Sequence, residues 1–369
     1  MTDDHCPPQT PTEADIDAPA ALEKLVRQAE AAGASDIHLQ MREAAAEVAF
    51  RLDGVMTPVA PLPTELAERV MGRIKFLARL KTYQESLPQE GRIASADLGT
   101  RNDLRVATYP TVTGEKVVLR LFNTGTARTL RELGLPDEAR IEIEHFLRQT
   151  AGLLLLTGPA GSGKTTTIYA CLRHLVELGG RHIITVEDPA EQIVPGVMQT
   201  EINTARGLDF AQAARHLLRQ DPQVLVIGEI RDDETANIAV RAALTGHLVI
   251  ATLHAGSCQG VFERLLALSS DLSAAATSLE LVLNQRLVRR LCAECSGKGC
   301  PACTQTGYRG RGPLVEWLRV TDKLRRDIAA RKLEGVAAKP SLAESAEVLV
   351  RSGVTNEPEI HRVLGFVTK

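Results

Sequence analysis

The sequence predicts an α/β protein whose main domain is built on a parallel-rich sheet, preceded by a smaller α+β domain. Three observations lead there. The chain is 369 residues long with 44% hydrophobic residues, more than one compact module needs. Near residue 140 the apolar pattern changes from alternation to short continuous runs, as expected of strands buried on both faces. One of those runs, Leu153–Thr157, leads into Gly158-Pro159-Ala160-Gly161-Ser162-Gly163-Lys164-Thr165, a complete G-x-x-x-x-G-K-[ST] pattern.

The elements can be taken in order. Residues 1–20 carry five acids, four prolines and no Lys or Arg, so a disordered acidic tail is expected. Residues 21–122 are expected to form the α+β domain. Leu22, Leu25, Val26 and Ala29 recur at helical spacing until Ala32-Gly33. Ile37–Leu39 and Val48–Leu52 read as a strand pair closed by the turn dipeptide Asp53-Gly54. A helix from Glu65 to Leu80 follows, then strands at Gly91–Ile93, Leu104–Ala107 and Val117–Phe122. Residues 123–136, with Thr-Gly-Thr and Gly-Leu-Pro, read as a linker. The domain 137–369 holds the runs Leu153–Thr157, Ile183–Val186, Val224–Ile227 and Leu248–Leu253, a cysteine module at 292–303 and a helical C-terminal part at 313–369.

Composition narrows the function. Lys+Arg number 43 against 46 Asp+Glu, and aromatics are only 3%, which disfavours bulk nucleic acid as the main partner. No run approaches the ~18 apolar residues of a membrane span, and the first residues lack a signal-peptide pattern, so a cytoplasmic protein is expected. Four of seven cysteines crowd into residues 292–303, which reads as a metal site in a reducing compartment.

The phosphate loop sits between a strand and a helix expected from Thr165 to Leu178, the context its chemistry requires. Gly158, Gly161 and Gly163 let backbone N–H groups turn toward a phosphate, with Pro159, Ala160, Ser162 and Thr166 completing the cradle. Lys164 supplies charge to the β/γ oxygens and Thr165 a hydroxyl to Mg²⁺. ATP or GTP is the implied ligand. Cys171, spaced with Ile168, Leu172 and Leu175, reads as core.

Two acidic clusters stand at strand ends: Glu187-Asp188-Pro189, and Gly228-Glu229-Ile230-Arg231-Asp232. Ligands of open α/β sheets bind outside the carboxyl ends of the strands, so both should face the loop. Glu229 is assigned to water activation, Glu187 to the outer shell of the metal or the water network. His247 and His254 bracket the strand 248–253 and should emerge at opposite ends of it. They cannot share one metal; one is placed to reach the γ-phosphate while the other organises a loop or a neighbouring domain.

Together these motifs resemble the ATPase family of type II secretion and type IV pilus assembly. The resemblance runs from about residue 21 onward. It includes Ala34–His38, Arg51–Gly54, Gly91–Ile93, Leu104–Pro110, Gly114–Arg120, the phosphate loop, the two acidic boxes, Thr245–His254, Gln285–Cys292 and Thr306–Gly310. It implies a PAS-like α+β domain joined to a RecA-like P-loop motor domain, in a homo-hexamer that binds ATP and Mg²⁺ between the two domains. It further implies an inner-membrane platform protein as partner and a cytoplasmic location, peripheral to that membrane. Matching positions nominate Arg92 and Arg105 as catalytic arginines from the smaller domain, with Arg286 and Arg290 as weaker candidates. Many relatives carry an additional N-terminal domain, where this sequence shows only the short acidic tail.

Cys292, Cys295, Cys300 and Cys303 form two C-x-x-C knuckles, a donor set for structural tetrahedral Zn²⁺, with a redox pair or unfilled thiols as the other readings. The four-residue spacer between them is shorter than a zinc ribbon normally has. By resemblance, paired knuckles favour assembly motors over retraction motors. Two other readings remain at this level: a RecA-like DNA motor using Arg286, Arg289, Arg290, Lys298, Arg309 and Arg311, and a scaffold that binds ATP without hydrolysing it.

Overall fold

The computed structural model describes residues 17–100, 103–121, 127–269, 271–333, 336–338 and 340–365. Of the expected tail, residues 1–16 lie outside the described residues, as do Phe122 and residues 123–126 of the expected linker. The chain divides into two units, 1–124 and 125–369.

In the first unit, helix α1 (Ala18–Ala31) takes in the last three residues of the expected tail, and buries Leu22, Leu25, Val26 and Ala29. Strands β1 (Asp36–Met41), β2 (Ala45–Leu52), β3 (Val55–Pro58) and β4 (Leu62–Pro63) follow, then α2 (Thr64–Leu77), β5 (Gln89–Ile93), the short α3 (Ser95–Leu98), β6 (Leu104–Thr111) and β7 (Gly114–Leu121). The sheet order is β3-β2-β1-β7-β6-β5, with β4 on β2, and every pairing is antiparallel. Burial alternates along β2 and β6, so one face is covered and the other meets solvent. Residues of α1 and α2 share the core of the buried face. The strands expected as a pair do pair, as β1 and β2, connected through residues 42–44; the Asp53-Gly54 turn that follows them, with φ of 49° and 86°, leads β2 into β3.

The second unit begins within the segment expected as a linker. Leu130, Leu133 and Leu135 are buried in its core, because 127–136 runs over an apolar surface that would otherwise be wet. Then come α4 (Asp137–Leu147), β8 (Gly152–Thr157), α5 (Lys164–Leu178), β9 (Ile183–Glu187), β10 (Met198–Glu201), α6 (Phe210–Leu217), β11 (Val224–Ile227), α7 (Asp233–Leu244) and β12 (Leu248–Leu253). After these lie α8 (Cys258–Leu268), α9 (Leu272–Ser278), β13 (Leu279–Leu291), β14 (Tyr308–Arg319), α10 (Asp322–Ala329), α11 (Leu342–Arg351) and α12 (Glu357–Leu364). The sheet order is β10-β9-β11-β12-β8-β13-β14, parallel except for the last pair. Every residue of β8, β9, β11 and β12 is buried, with separate cores on the two faces. Truncating a strand residue such as Leu155 to Ala would cost about 2–5 kcal/mol.

The C-terminal part differs from expectation. Residues 313–319, expected as helix, form most of β14. Leu314 and Val315 are buried, and β14 pairs with β13 from Leu281↔Arg319 to Leu291↔Tyr308. Tertiary pairing along a long partner strand overrides the helix-favouring composition there. The helices α10, α11 and α12 follow β14, and residues 352–356 join the last two.

Candidate functional site

The carboxyl ends of β8, β9, β11 and β12 open onto one cleft of about 250 Å³. Lys164, Thr165, Glu187, Glu229, Arg231 and His254 line it. The phosphate loop leaves β8 and feeds α5, which starts at Lys164, one residue earlier than expected. Gly158 and Gly163 have φ of +138° and +91°, so side-chain-bearing residues would be strained at both. Space forbids them too. A Cβ on Gly158 would stand 2.2 Å from the Gln285 carbonyl, and one on Gly163 2.6 Å from Gln285 Nε2. Gln285, buried on β13, also accepts from Thr167 Oγ1 at 2.9 Å and so buttresses the loop from behind.

Lys164 Nζ donates to the carbonyls of Gly158 (2.8 Å) and Pro159 (2.9 Å). Burial lowers its pKa, while the Glu229 carboxylate opposes the shift. Ala160, Gly161 and Thr165 face the cleft, and Thr166 is exposed on the first turn of α5. The Ser162 hydroxyl is buried and finds no hydrogen-bond partner among the described residues. An orphaned buried hydroxyl, two glycines too tight for a Cβ and a lysine at a helix N-terminus fit a phosphate chain of a nucleotide.

The two carboxylates are held differently. Glu187 is buried, and both of its oxygens are engaged by neutral donors. Oε1 accepts from Thr185 Oγ1 at 2.5 Å and Gln199 Nε2 at 2.9 Å, and Oε2 from the Tyr169 hydroxyl at 2.5 Å. Burial, then the Glu187 contact, drives the Tyr169 pKa up, so this hydroxyl stays a donor. Tyr169 also accepts from the backbone N–H groups of Glu191 and Gln192, tying the loop after β9 to α5. Glu229 instead sits between ionisable groups. Its Oε2 pairs with Arg231 Nε at 2.7 Å and its Oε1 lies 2.8 Å from His254 Nε2. Arg231 reaches on to Asp188 at 3.3 Å and lies over the Phe210 ring. Glu229 therefore stands at the cleft between an imidazole N–H donor on one side and a guanidinium on the other.

The histidines separate as their spacing requires. His254 Nδ1 lies 3.3 Å from the Gly158 carbonyl, so this residue spans from the phosphate loop to Glu229. His247 is at the other end of β12, where its Nδ1 lies 3.0 Å from the Ala242 carbonyl at the end of α7. Arg92 and Arg105 belong to the first unit and stand opposite each other on β5 and β6. Arg92 pairs with Asp103 at 2.8 Å.

The cysteine module sits at the end of the β13–β14 ribbon. Its four sulfurs lie within 4.8 Å of one another. The separations Cys292–Cys300, Cys295–Cys303 and Cys300–Cys303 are 3.9, 3.8 and 3.7 Å. A tetrahedral ion with sulfur at about 2.3 Å needs edges of about 3.8 Å, so the donor set fits zinc despite its short spacer. Backbone N–H groups of Gly299, Cys300 and Gly307 donate to sulfur at 3.2–3.3 Å. Burial works against ionisation of Cys303, but the N–H donors of Cys300 and Gly307 bring its pKa down to about 6. Gly307 is indispensable to the turn, since a Cβ there would meet the Gly297 carbonyl at 2.5 Å.

Cys171 is fully buried, and burial pushes its thiol up to about 12. Of the basic neighbourhood, Arg289 is paired to buried Glu359 at 2.7 Å and Arg286 donates to the Gly256 carbonyl at 2.9 Å. Sequence reading missed the supporting roles of Tyr169, Gln199, Arg231, Asn284 and Gln285. Only the closely spaced glycines of the loop hinted that something must press against it.

The profile of the family described as Type II/IV secretion system protein matches residues 13–362. The chain is 41% identical over 358 residues to the type II secretion system protein HxcR of Pseudomonas aeruginosa, covering 93% of this chain and 76% of that one. It is 37% identical over 385 aligned positions to the type II secretion system ATPase E of Vibrio cholerae, covering 95% and 76%. Among solved structures, the pilus retraction motor PilT with bound ADP superposes with a TM-score of 0.64 at 25% identity, covering 92% of this chain and 96% of that one.

Proposed function

The chain belongs to the type II/IV secretion system protein family, and we propose that it is the ATP-hydrolysing motor of a secretion or pilus-assembly system. One observation carries this reading: Lys164, Thr165, Glu229 and His254, drawn from three separate strand ends, converge on a single cleft beside the phosphate loop. Bound Mg²⁺ would neutralise charge on the phosphates, with the Thr165 hydroxyl as its protein ligand. Lys164 and the start of α5 hold the phosphate chain; Glu229 orients and polarises the attacking water. His254 keeps Glu229 turned to the loop, and Arg231 fixes its other oxygen. Glu187 acts at one remove, by locking Tyr169 and the loop after β9.

Relatives named as secretion ATPases and as a pilus motor support the finer reading. In it the chain works as a homo-hexamer on the cytoplasmic side of the inner membrane, pushing a platform protein there. No described helix is long and apolar enough to cross a membrane. Arg92 and Arg105 deliver positive charge to the phosphates from the smaller domain, while His247 organises the loop before β12. Structural zinc on the four cysteines holds the end of the β13–β14 ribbon, and the paired knuckles favour assembly over retraction.

The test is Mg-dependent ATP turnover by the purified chain beside Glu229→Gln. Turnover that falls about 100-fold or more in the variant, with nucleotide still bound, is the expected result. Equal silence of both proteins, each binding nucleotide, would replace the motor by a scaffold that uses ATP only to assemble.

A further inference from the structure

Glu316 is a buried carboxylate that does not line the cleft. It stands on β14 directly opposite Asn284 of β13 and is 7% exposed. Its Oε1 accepts from the Cys258 backbone N–H at 2.7 Å and from Asn284 Nδ2 at 2.9 Å. Its Oε2 accepts from the Leu342 backbone N–H at 3.3 Å. Cys258 and Leu342 are the first residues of α8 and α11, so a single side chain serves the opening turns of two helices. Both macrodipoles favour an anion there. A carboxylate withdrawn from water is costly unless donors surround it, and here they come from three elements.

Two of these donors, Asn284 and Cys258, lead back to the nucleotide cleft. Asn284 Nδ2 also donates to the Gly256 carbonyl at 3.0 Å, and its Oδ1 accepts from Arg286 at 2.7 Å. Gly256 belongs to the loop 254–257 that joins β12 to Cys258 of α8 and begins with His254. Ala255 in that loop exchanges two hydrogen bonds with Thr157, at 2.8 and 3.0 Å, at the root of the phosphate loop. The loop is thus gripped by Thr157 on one side and by Glu316 with Asn284 on the other. Held between them, His254 meets both Glu229 and Gly158.

We propose that Glu316 is a positioning residue for hydrolysis: through Asn284 and the first turn of α8 it fixes loop 254–257, and with it His254, and it ties that loop to α11. The inference rests on reading the cleft as a hydrolytic site. The chemistry of the position explains the choice of side chain. A carboxylate only accepts, so it forces the Asn284 amide to present Nδ2 to Glu316 and Gly256 and Oδ1 to Arg286. A glutamine could keep one acceptor, but its NH₂ would then face the Leu342 N–H.

The experiment compares the full chain with Glu316→Gln in two backgrounds, parent and His254→Ala, reading steady-state turnover and amide hydrogen exchange of residues 254–260. In the parent background, kcat should fall about tenfold with KM for Mg-ATP changed less than about twofold. Exchange at 254–260 should quicken at least about tenfold while the interior of α5 stays protected. In the His254→Ala background the same substitution should cost less than about twofold, because the residue through which Glu316 acts is gone. Unchanged exchange at 254–260, or the same cost in both backgrounds, overturns the proposal. Should Glu316→Gln not fold, Asn284→Ala must give the same pattern, and its failure to do so is equally decisive. A parent without any turnover sinks the hydrolytic reading, whereas the exchange measurement still decides whether Glu316 holds the loop.

Discussion

The β13–β14 ribbon passes two sites built on opposite plans. Near its middle, Asn284, Gln285 and Arg286 press against the phosphate loop and the loop after β12. Six residues beyond Arg286, or about 20 Å along an extended strand, the cysteine module begins. The module is local: four ligands within residues 292–303, turned inward on their own sulfurs by nearby backbone N–H groups. The cleft is assembled from afar. Thr167 meets Gln285 across 118 positions and Ala255 meets Thr157 across 98. A local site can be held by turns and an ion, whereas a long-range site exists only when the sheet has formed.

That contrast can be broken. The largest effect should come from stripping metal with a chelator, or from Cys300→Ser. Amide exchange across 292–307 is expected to rise more than about 100-fold, while nucleotide affinity moves less than about twofold. A parallel collapse of nucleotide binding would mean that the two sites are not independent. The converse substitution, Lys164→Ala, should weaken nucleotide binding about 10- to 100-fold, the worth of a charge-assisted contact, and leave zinc content measured by atomic absorption unchanged.

A smaller change sharpens the claim that Glu187 acts through its neighbours. Tyr169→Phe removes a donor to Glu187 and an acceptor for two backbone N–H groups, so denaturant unfolding should show a loss of about 1–3 kcal/mol. Unaltered stability would return Glu187 to the outer shell of the metal or the water network. The smallest effect concerns α12, beside the module. Burial opposes ionisation of Glu359, but hydrogen bonds from Arg362 and Arg289 hold its pKa below the ordinary value. Its contribution is therefore present above the usual glutamate pKa of about 4.3 and lost as pH falls through the lower folded value. The melting temperature of the parent should drop more steeply than that of Glu359→Gln between pH 5 and the acid limit of about 3. Equal slopes would show that the Arg289–Glu359–Arg362 cluster adds nothing to docking of the helix.

Much of this was legible in the residues. The phosphate loop announces itself because glycine, lysine and threonine at that spacing serve a phosphate and little else. The cysteine knuckles do so because thiols are scarce elsewhere in the chain. Continuous apolar runs identify the parallel strands, and alternating ones the antiparallel sheet of the first unit. The C-terminal part misled because Leu, Ala, Glu and Arg suit helices, while residues 313–319 pair with a long strand whose existence local composition does not reveal.

By itself the sequence determined the chemistry on offer: a cradle for phosphate, carboxylates at strand ends, two histidines bracketing one strand, four thiols in a short span. Each is a matter of residue type and local spacing. Only the tertiary structure decided which groups meet. It turned His254 toward Glu229 and left His247 at the far end of β12. It surrounded Glu187 with neutral donors, placed Gln285 behind the phosphate loop, and set Glu316 at the start of two helices remote in sequence. The physical reason is that hydrogen bonds and buried charges are satisfied by whatever packing brings within about 3 Å, and packing is a property of the assembled sheet.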